Sequence, residues 1–356
     1  MVSATIDTGA LRHNLQIVRQ RAPKSRVIAV VKANAYGHGL VTVARALDSA
    51  DAFAVARVDE GLALRDAGIK APVMLLEGVL NREQLDAAAN AEFELVVHSP
   101  EQIELLRAAS PRARFKVWLK LDSGMNRLGF KGAAFHSAHD ALSALPVLQG
   151  PVNLMTHLAC ADTPDLPTTA EQLMVFAAAT RSLAGERSIE NSAGLLGFPD
   201  AQGDWVRPGL MLYGVSPFAG STGADHGLRP VMTLHSHLIA VKDLSVGEQV
   251  GYGGDWTATR PTRLSIAAVG YGDGYARSLS SGAPVLVNGE RACLAGRVSM
   301  DMIAIDVTDL KAPPKIGDPI ILWGEGLPVE EIALWAETIP YELLCGVSQR
   351  VAVQLR

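Results

Sequence analysis

No apolar run in this 356-residue chain approaches the roughly 20 residues that a bilayer-spanning helix needs. Cysteine is scarce: Cys160, Cys293 and Cys345 lie far apart and form no C-x-x-C pair. They read as reduced core thiols of a cytoplasmic protein. Charge of one sign is not in excess. The formal net charge is -5 with no long basic or acidic block, so nucleic acid and anionic membranes are poor candidates for partners. Residues 1–7 carry neither a basic n-region nor an apolar h-region. No G-x-G-x-x-G follows the first apolar run, which disfavours a doubly wound dinucleotide-binding sheet.

What is present is a globular composition, 48% hydrophobic and 19% charged, long enough for two domains. Short apolar runs at 27–31, 52–55, 73–76, 94–97, 115–121, 152–156, 189–191 and 211–213 alternate with amphipathic segments such as 40–49, 59–67, 100–109, 133–145 and 168–183. Eight such strands over about 220 residues match a (β/α)8 barrel of the TIM type, an α/β fold. After Leu228-Arg229-Pro230 the texture changes to short alternating segments, with Asn288-Gly289 as a hairpin turn and one helix near 329–337. The expected division is a barrel at 1–228 and a mostly β domain at 229–356, packed directly on each other.

Barrel chemistry gathers at the C-terminal ends of the strands. By this reading that mouth receives Lys32, then Lys120, Asp122 and Arg127, then His157, then Asn191 and Ser192, then Tyr213. Lys32 closes the apolar run Val27-Ile28-Ala29-Val30-Val31 and opens a polar, glycine-punctuated loop, Ala33-Asn34-Ala35-Tyr36-Gly37-His38-Gly39. A lysine at the end of a core strand is costly unless its amine is used. Desolvation lowers its pKa, and a neutral amine can condense with a carbonyl.

That stretch resembles the cofactor-lysine signature of the alanine racemases, which use pyridoxal 5'-phosphate (PLP). The resemblance continues through Lys120-Leu121-Asp122-Ser123-Gly124-Met125-Asn126-Arg127, Thr156-His157-Leu158-Ala159, Asn191-Ser192-Ala193-Gly194 and Arg207-Pro208-Gly209-Leu210. In the second domain it covers Gly251-Tyr252-Gly253, Gly270-Tyr271-Gly272-Asp273, Gly296-Arg297-Val298-Ser299-Met300-Asp301 and Ile339-Pro340-Tyr341-Glu342. It implies a racemase that moves the α-proton of alanine between two bases. Lys32 would hold PLP and act on one face; Tyr252, from the other subunit of a head-to-tail homodimer, would act on the opposite face. A free tyrosine has a pKa near about 10, too high for a base at neutral pH, so Tyr252 needs donating neighbours. The resemblance supplies His157 beside it and Arg207 beside His157. Arg207, always protonated, would face the pyridine nitrogen and keep it unprotonated. Asn191 joins the cofactor set. Tyr36, Ser192, Gly209 and Leu210 would surround the phosphate. Arg127 would hold the substrate carboxylate side, paired with a carbamylated Lys120. Tyr271, Met300 and Asp301 would line the mouth and limit side-chain size. Each residue also has a plain reading: a snorkelling lysine, a tyrosine in a glycine-rich turn, an arginine in a surface pair.

Two features depart from the pattern. Family members usually end in Arg-Val-Pro-Arg, a variable residue, then a tyrosine that reaches the cofactor phosphate. Here the end is Arg350-Val351-Ala352-Val353-Gln354-Leu355-Arg356, so Leu355 stands at the expected tyrosine. This implies weaker PLP retention or a pocket open to serine. His235 and His237 share one face of an expected strand, but no third or fourth ligand accompanies them, so no metal is expected. The competing functions are a broader alanine/serine racemase, a barrel-plus-β PLP decarboxylase, and a PLP-binding protein without turnover. The β domain carrying Tyr252, Met300 and Asp301 argues against the last. Whether D-alanine would serve as a peptidoglycan precursor or be degraded stays open.

Overall fold

The computed structural model describes residues 2–356. After a first strand, β1 (Ser3–Ile6), and the helix Thr8–Arg21, eight parallel strands close a barrel in chain order. They are β2 (Arg26–Val30), β3 (Ala52–Val55), β4 (Val73–Leu75), β5 (Phe93–Val97), β6 (Val117–Lys120), β7 (Asn153–Met155), β8 (Arg187–Ser188) and β9 (Trp205–Val206). Every residue of β3 and β5 is buried. A barrel sheathed in helices covers both faces of each strand, which is why these strands read as unbroken apolar runs. The outer helices start where the chain offers a cap. Asp7 accepts from the Ala10 amide, Asn81 accepts from the Gln84 amide, and Pro100 occupies a first turn.

The last two barrel strands differ from the expected 189–191 and 211–213. They lie at Arg187–Ser188 and Trp205–Val206, and Leu210–Tyr213 is a 3-10 turn. Two-residue strands are too short to show an apolar period. Tyr213 is therefore no strand-end residue: it is buried, and its hydroxyl donates to the Val30 carbonyl at 3.0 Å. Arg207, directly after β9, takes that place.

The second domain is built on the long strand β10 (Met232–Leu244). A short hairpin, β11 (Gln249–Val250) and β12 (Trp256–Thr257), follows, then β13 (Thr262–Ala267), β14 (Pro284–Val287), β15 (Glu290–Leu294), β16 (Ile303–Asp306) and β17 (Pro319–Trp323). β10 pairs with β17 through its first half and with β13 through its second, with a register shift at Leu238/Ala240. Pairings β13–β16, β16–β15, β15–β14 and β14–β17 complete an antiparallel ring. The β14–β15 turn is Asn288-Gly289, both at positive φ (51° and 81°), as a two-residue hairpin requires. β1 falls inside the range expected for the barrel yet joins this sheet, antiparallel to β10 and parallel to β18 (Ala352–Leu355). Closure explains it: β2 already pairs with β3 and β9, so the barrel has no edge left for β1.

Helices Val329–Trp335 and Pro340–Cys345 follow β17, and the second packs on the turn after Lys32. Gly37 (φ 81°) makes this approach possible, because a Cβ there would lie 2.1 Å from the Leu344 carbonyl oxygen. The three cysteines are free, but Cys293 and Cys345 are exposed rather than core residues. His235 bonds to the Thr5 hydroxyl at 2.8 Å. Among the described residues, no helix is long and apolar enough to cross a membrane, and no three metal-ligating side chains converge.

Candidate active site

A cavity of about 580 Å³ opens at the C-terminal ends of the barrel strands. Lys32, Tyr36, Lys120, Arg127, His157, Asn191, Ser192, Arg207, Gly209 and Leu210 all line it. Glu77 and Tyr341, to which the sequence reading gave no role, line it as well. Asp122 does not. It turns into its own loop, accepting from the Gly124 and Asn126 amides and pairing with Lys131 at 3.5 Å.

Lys32 is followed by four consecutive residues in left-handed geometry, Ala33, Asn34, Ala35 and Tyr36, at φ 53–54°. For non-glycine residues this costs about 1–2 kcal/mol each. Hydrogen bonds at both ends hold it. Glu60 accepts from the Ala33 amide at 2.6 Å; the His38 ring donates to the Tyr36 carbonyl at 2.8 Å and the Ala35 carbonyl at 3.0 Å. Burial lowers the Lys32 amine below its ordinary pKa and Arg127 lowers it further, while Glu77 and Glu60 pull it back up.

Arg207 is buried, and neutral acceptors grip its guanidinium. It donates to the Ser188 hydroxyl at 2.6 Å, the Thr156 carbonyl at 2.7 Å and the Ile189 carbonyl at 3.2 Å, and it reaches His157 Nδ1 at 3.4 Å. A guanidinium only donates, so Nδ1 must accept and the imidazole proton sits on Nε2. Burial holds the His157 pKa well below its ordinary value, and the cations Arg207, Lys120, Arg127 and Lys32 add to the effect. The ring is neutral. Burial and the same arginines bring Lys120 down to about 8. Glu190 was missed in the sequence. It is fully buried, neither carboxyl oxygen has a hydrogen-bond partner, and burial raises its pKa to about 7 against the pull of Arg207.

Also in the cavity wall, the Ser192 hydroxyl accepts from the amides of Gly209 (3.0 Å) and Met211 (3.2 Å). A Cβ on Gly209 would lie 2.4 Å from the Tyr36 hydroxyl, so the absent side chain leaves a cradle of polar groups. The Tyr36 ring stacks on Tyr213 at 4.7 Å and meets Tyr341 at 5.8 Å. Tyr341 is thus the second-domain tyrosine that reaches this cavity. Leu355 corrects the sequence reading. It lies in β18, paired with Ile6 and 62% exposed, and does not line the cavity of its own chain. The motif at 350–356 forms the strand beside β1, so Leu355 replaces no group that lines the cavity of its own chain.

Tyr252, Tyr271, Met300 and Asp301 lie outside this cavity. Tyr252 is 72% exposed in the turn between β11 and β12, beside an Asp255–Arg297 ion pair. The Tyr271 and Gly272 amides donate to the Ser299 and Met300 carbonyls at 3.0 and 2.9 Å, so Tyr271 and Met300 share one surface. Arg350 ties that surface together through Asp301 (2.7 Å) and Asp273 (2.9 Å).

Residues 6–217 match the family described as alanine racemase, N-terminal domain, and residues 231–355 match alanine racemase, C-terminal domain. The chain belongs to the alanine racemase family. It is 49% identical over 352 residues to the alanine racemase of Shewanella sediminis, covering 99% of this chain and 98% of that protein. The Aeromonas hydrophila enzyme is also 49% identical, over 351 residues with the same coverage. Biosynthetic alanine racemase from Pseudomonas aeruginosa superposes with a TM-score of 0.96 at 45% identity, covering 100% of this chain and 99% of that one. An alanine racemase from Bartonella henselae, solved with covalently bound pyridoxal phosphate, is 29% identical with a TM-score of 0.91, covering 100% and 99%. Membership of this family makes the chain an isomerase. The donor set fits the family's cofactor: an amine at Lys32, a cradle of a hydroxyl and amides at Tyr36, Ser192 and Gly209, and a pinned guanidinium at Arg207.

That fit gives a direct expectation. Gly209→Ala should weaken PLP retention about tenfold or more, because its Cβ meets the Tyr36 hydroxyl and one charge-assisted hydrogen bond is worth about 1.5–3 kcal/mol. Fluorescence titration of the cofactor-free protein measures it, and unchanged affinity would separate Gly209 from cofactor retention.

Proposed function

We propose that this chain interconverts L- and D-alanine in the cytoplasm as a homodimer with shared active sites, using PLP held by Lys32. What supports the reading is the division of the site. One cavity gathers Lys32, Arg207 and the phosphate donors, while the tyrosine proposed as second base stands exposed on the other domain. PLP supplies an electron sink that makes the α-proton of alanine removable. The chain's own groups supply the rest. Lys32 Nζ takes or returns the proton on one face of the α-carbon, and Tyr252 Oη of a second subunit does so on the other. Arg207 would face the pyridine nitrogen with an N–H donor and so would keep a proton off it. Neutral His157, with its proton on Nε2, would offer Tyr252 Oη a hydrogen-bond donor without adding a cation. Arg127 holds the substrate carboxylate side. Tyr271 and Met300 narrow the mouth to a methyl side chain, with Asp301 fixed beside them by Arg350. The test is a chiral assay of L-alanine incubated with PLP-saturated protein: D-alanine must appear.

Lys120 is proposed as a carbamate. With its pKa brought down to about 8, a substantial fraction of the amine is neutral. The nitrogen lone pair then bonds to the carbon of CO2, one N–H proton is released, and the resulting anion faces Arg127. Formation should therefore rise with pH through about 8. Protein equilibrated with 13C-bicarbonate should show a carbamate carbon resonance that disappears in Lys120→Ala. No resonance above that pH would exclude the modification.

A further inference from the structure

Glu60 and His38 take no part in the chemistry above, yet each holds one end of the turn that follows Lys32. We propose that Glu60 and His38 are positioning residues that clamp this left-handed turn and so set the orientation and electrostatic surroundings of the Lys32 amine. Four consecutive non-glycine residues at positive φ persist only where their surroundings over-determine them. Glu60 lies in the first turn of the helix Val58–Asp66. A glutamate serving only its own helix would bond the amides ahead of it. Here one oxygen does so, accepting from Ala56 at 2.9 Å and Arg57 at 3.3 Å. The other leaves the helix and takes the Ala33 amide at 2.6 Å, one residue past Lys32. The carboxylate thus ties the turn to the end of β3.

His38 closes the far end. Its ring is buried against Tyr213 at 4.5 Å, and Nδ1 faces two carbonyls, Ala35 and Tyr36. Carbonyls only accept, so the proton sits on Nδ1. Burial keeps the ring neutral by lowering its pKa to about 4. The two bonds fix Tyr36, whose hydroxyl enters the Gly209 cradle, on the same short turn as Lys32. The groups acting on the Lys32 amine are Arg127, Glu77, Glu60 and Cys345, so Glu60 is one of two carboxylates that offset Arg127.

The inference rests on Lys32 being the cofactor lysine, and the experiment separates the two. In cofactor-free protein, the pH dependence of Lys32 labelling by acetic anhydride is read by mass spectrometry. In PLP-treated protein, the rate at which borohydride fixes PLP on Lys32 is read the same way. Glu60→Gln keeps an acceptor for Ala33 but removes the anion, so the labelling midpoint should move to lower pH. His38→Phe keeps the ring stack but loses the donor, so PLP capture should slow about tenfold or more. His38→Asn, whose amide nitrogen can stand where Nδ1 stood, should restore it. If His38→Phe fails to fold, Glu60→Gln and His38→Asn still decide. A wild-type midpoint in Glu60→Gln, with His38 variants that capture PLP at the wild-type rate, would overturn the clamp alone. If wild-type protein takes no PLP on Lys32, the cofactor reading fails and the clamp with it.

Discussion

Lys32→Ala protein, saturated with PLP and given L-alanine, should form no measurable D-alanine. Two losses combine. On the proposed roles, a positioned proton-transfer group worth about 10²–10⁴ in rate is lost, and the covalent anchor of the cofactor with it. The fold should survive. Lys32 is only partly buried, and the turn after it is held through the Ala33 amide and the Tyr36 and Ala35 carbonyls, none of which involves the lysine side chain. Circular dichroism melting should therefore match wild type while chiral chromatography reads zero product. Activity within tenfold of wild type would remove Lys32 from both roles.

The parts of the fold legible in the sequence are those where one physical demand dominates. Strands β2 to β7 are buried on both faces, so their apolar runs stand out. Strands β8 and β9 hold two residues each, and their burial comes from neighbours rather than from any local pattern. The hairpin at Asn288-Gly289 was readable because only a few residue pairs tolerate two positive φ angles. The left-handed turn at 33–36 was not, since alanine carries no signal for that conformation.

The same contrast holds in the site. Lys32, Lys120, His157, Asn191 and Arg207 sit at or just past strand ends, where barrel topology sends polar groups to one mouth. Tyr341 reaches that mouth through a helix of the second domain, a contact no spacing along the chain encodes. The terminal motif points instead to Leu355, which lies in the outer strand β18 and lines no part of its own chain's cavity. Glu60 and Glu190 look like ordinary acidic residues in the sequence. Only the fold sets one against the Lys32 turn and encloses the other beside Arg207.

Tyr252→Phe should lower racemisation by about 10²–10⁴, the range for loss of one positioned acid–base group. The loss should be one-sided. With Lys32 intact, one enantiomer of alanine should still exchange its α-proton for solvent deuterium, while the other, whose proton faces Tyr252, should not. Equal exchange of both would remove Tyr252 as a base. The exposure of Tyr252, 72% and outside its own chain's cavity, adds a sharper requirement. If each site takes Lys32 from one subunit and Tyr252 from the other, a mixed dimer of Lys32→Ala and Tyr252→Phe chains has one site carrying both defects and one carrying neither. Co-expression of two inactive chains should then recover about a quarter of wild-type activity, because half the dimers are mixed and each holds one intact site. A site built within a single chain cannot recover this way, since every site would keep one defect. Zero recovery in dimers shown by mass to be mixed would place both bases in one subunit and overturn the shared-site reading.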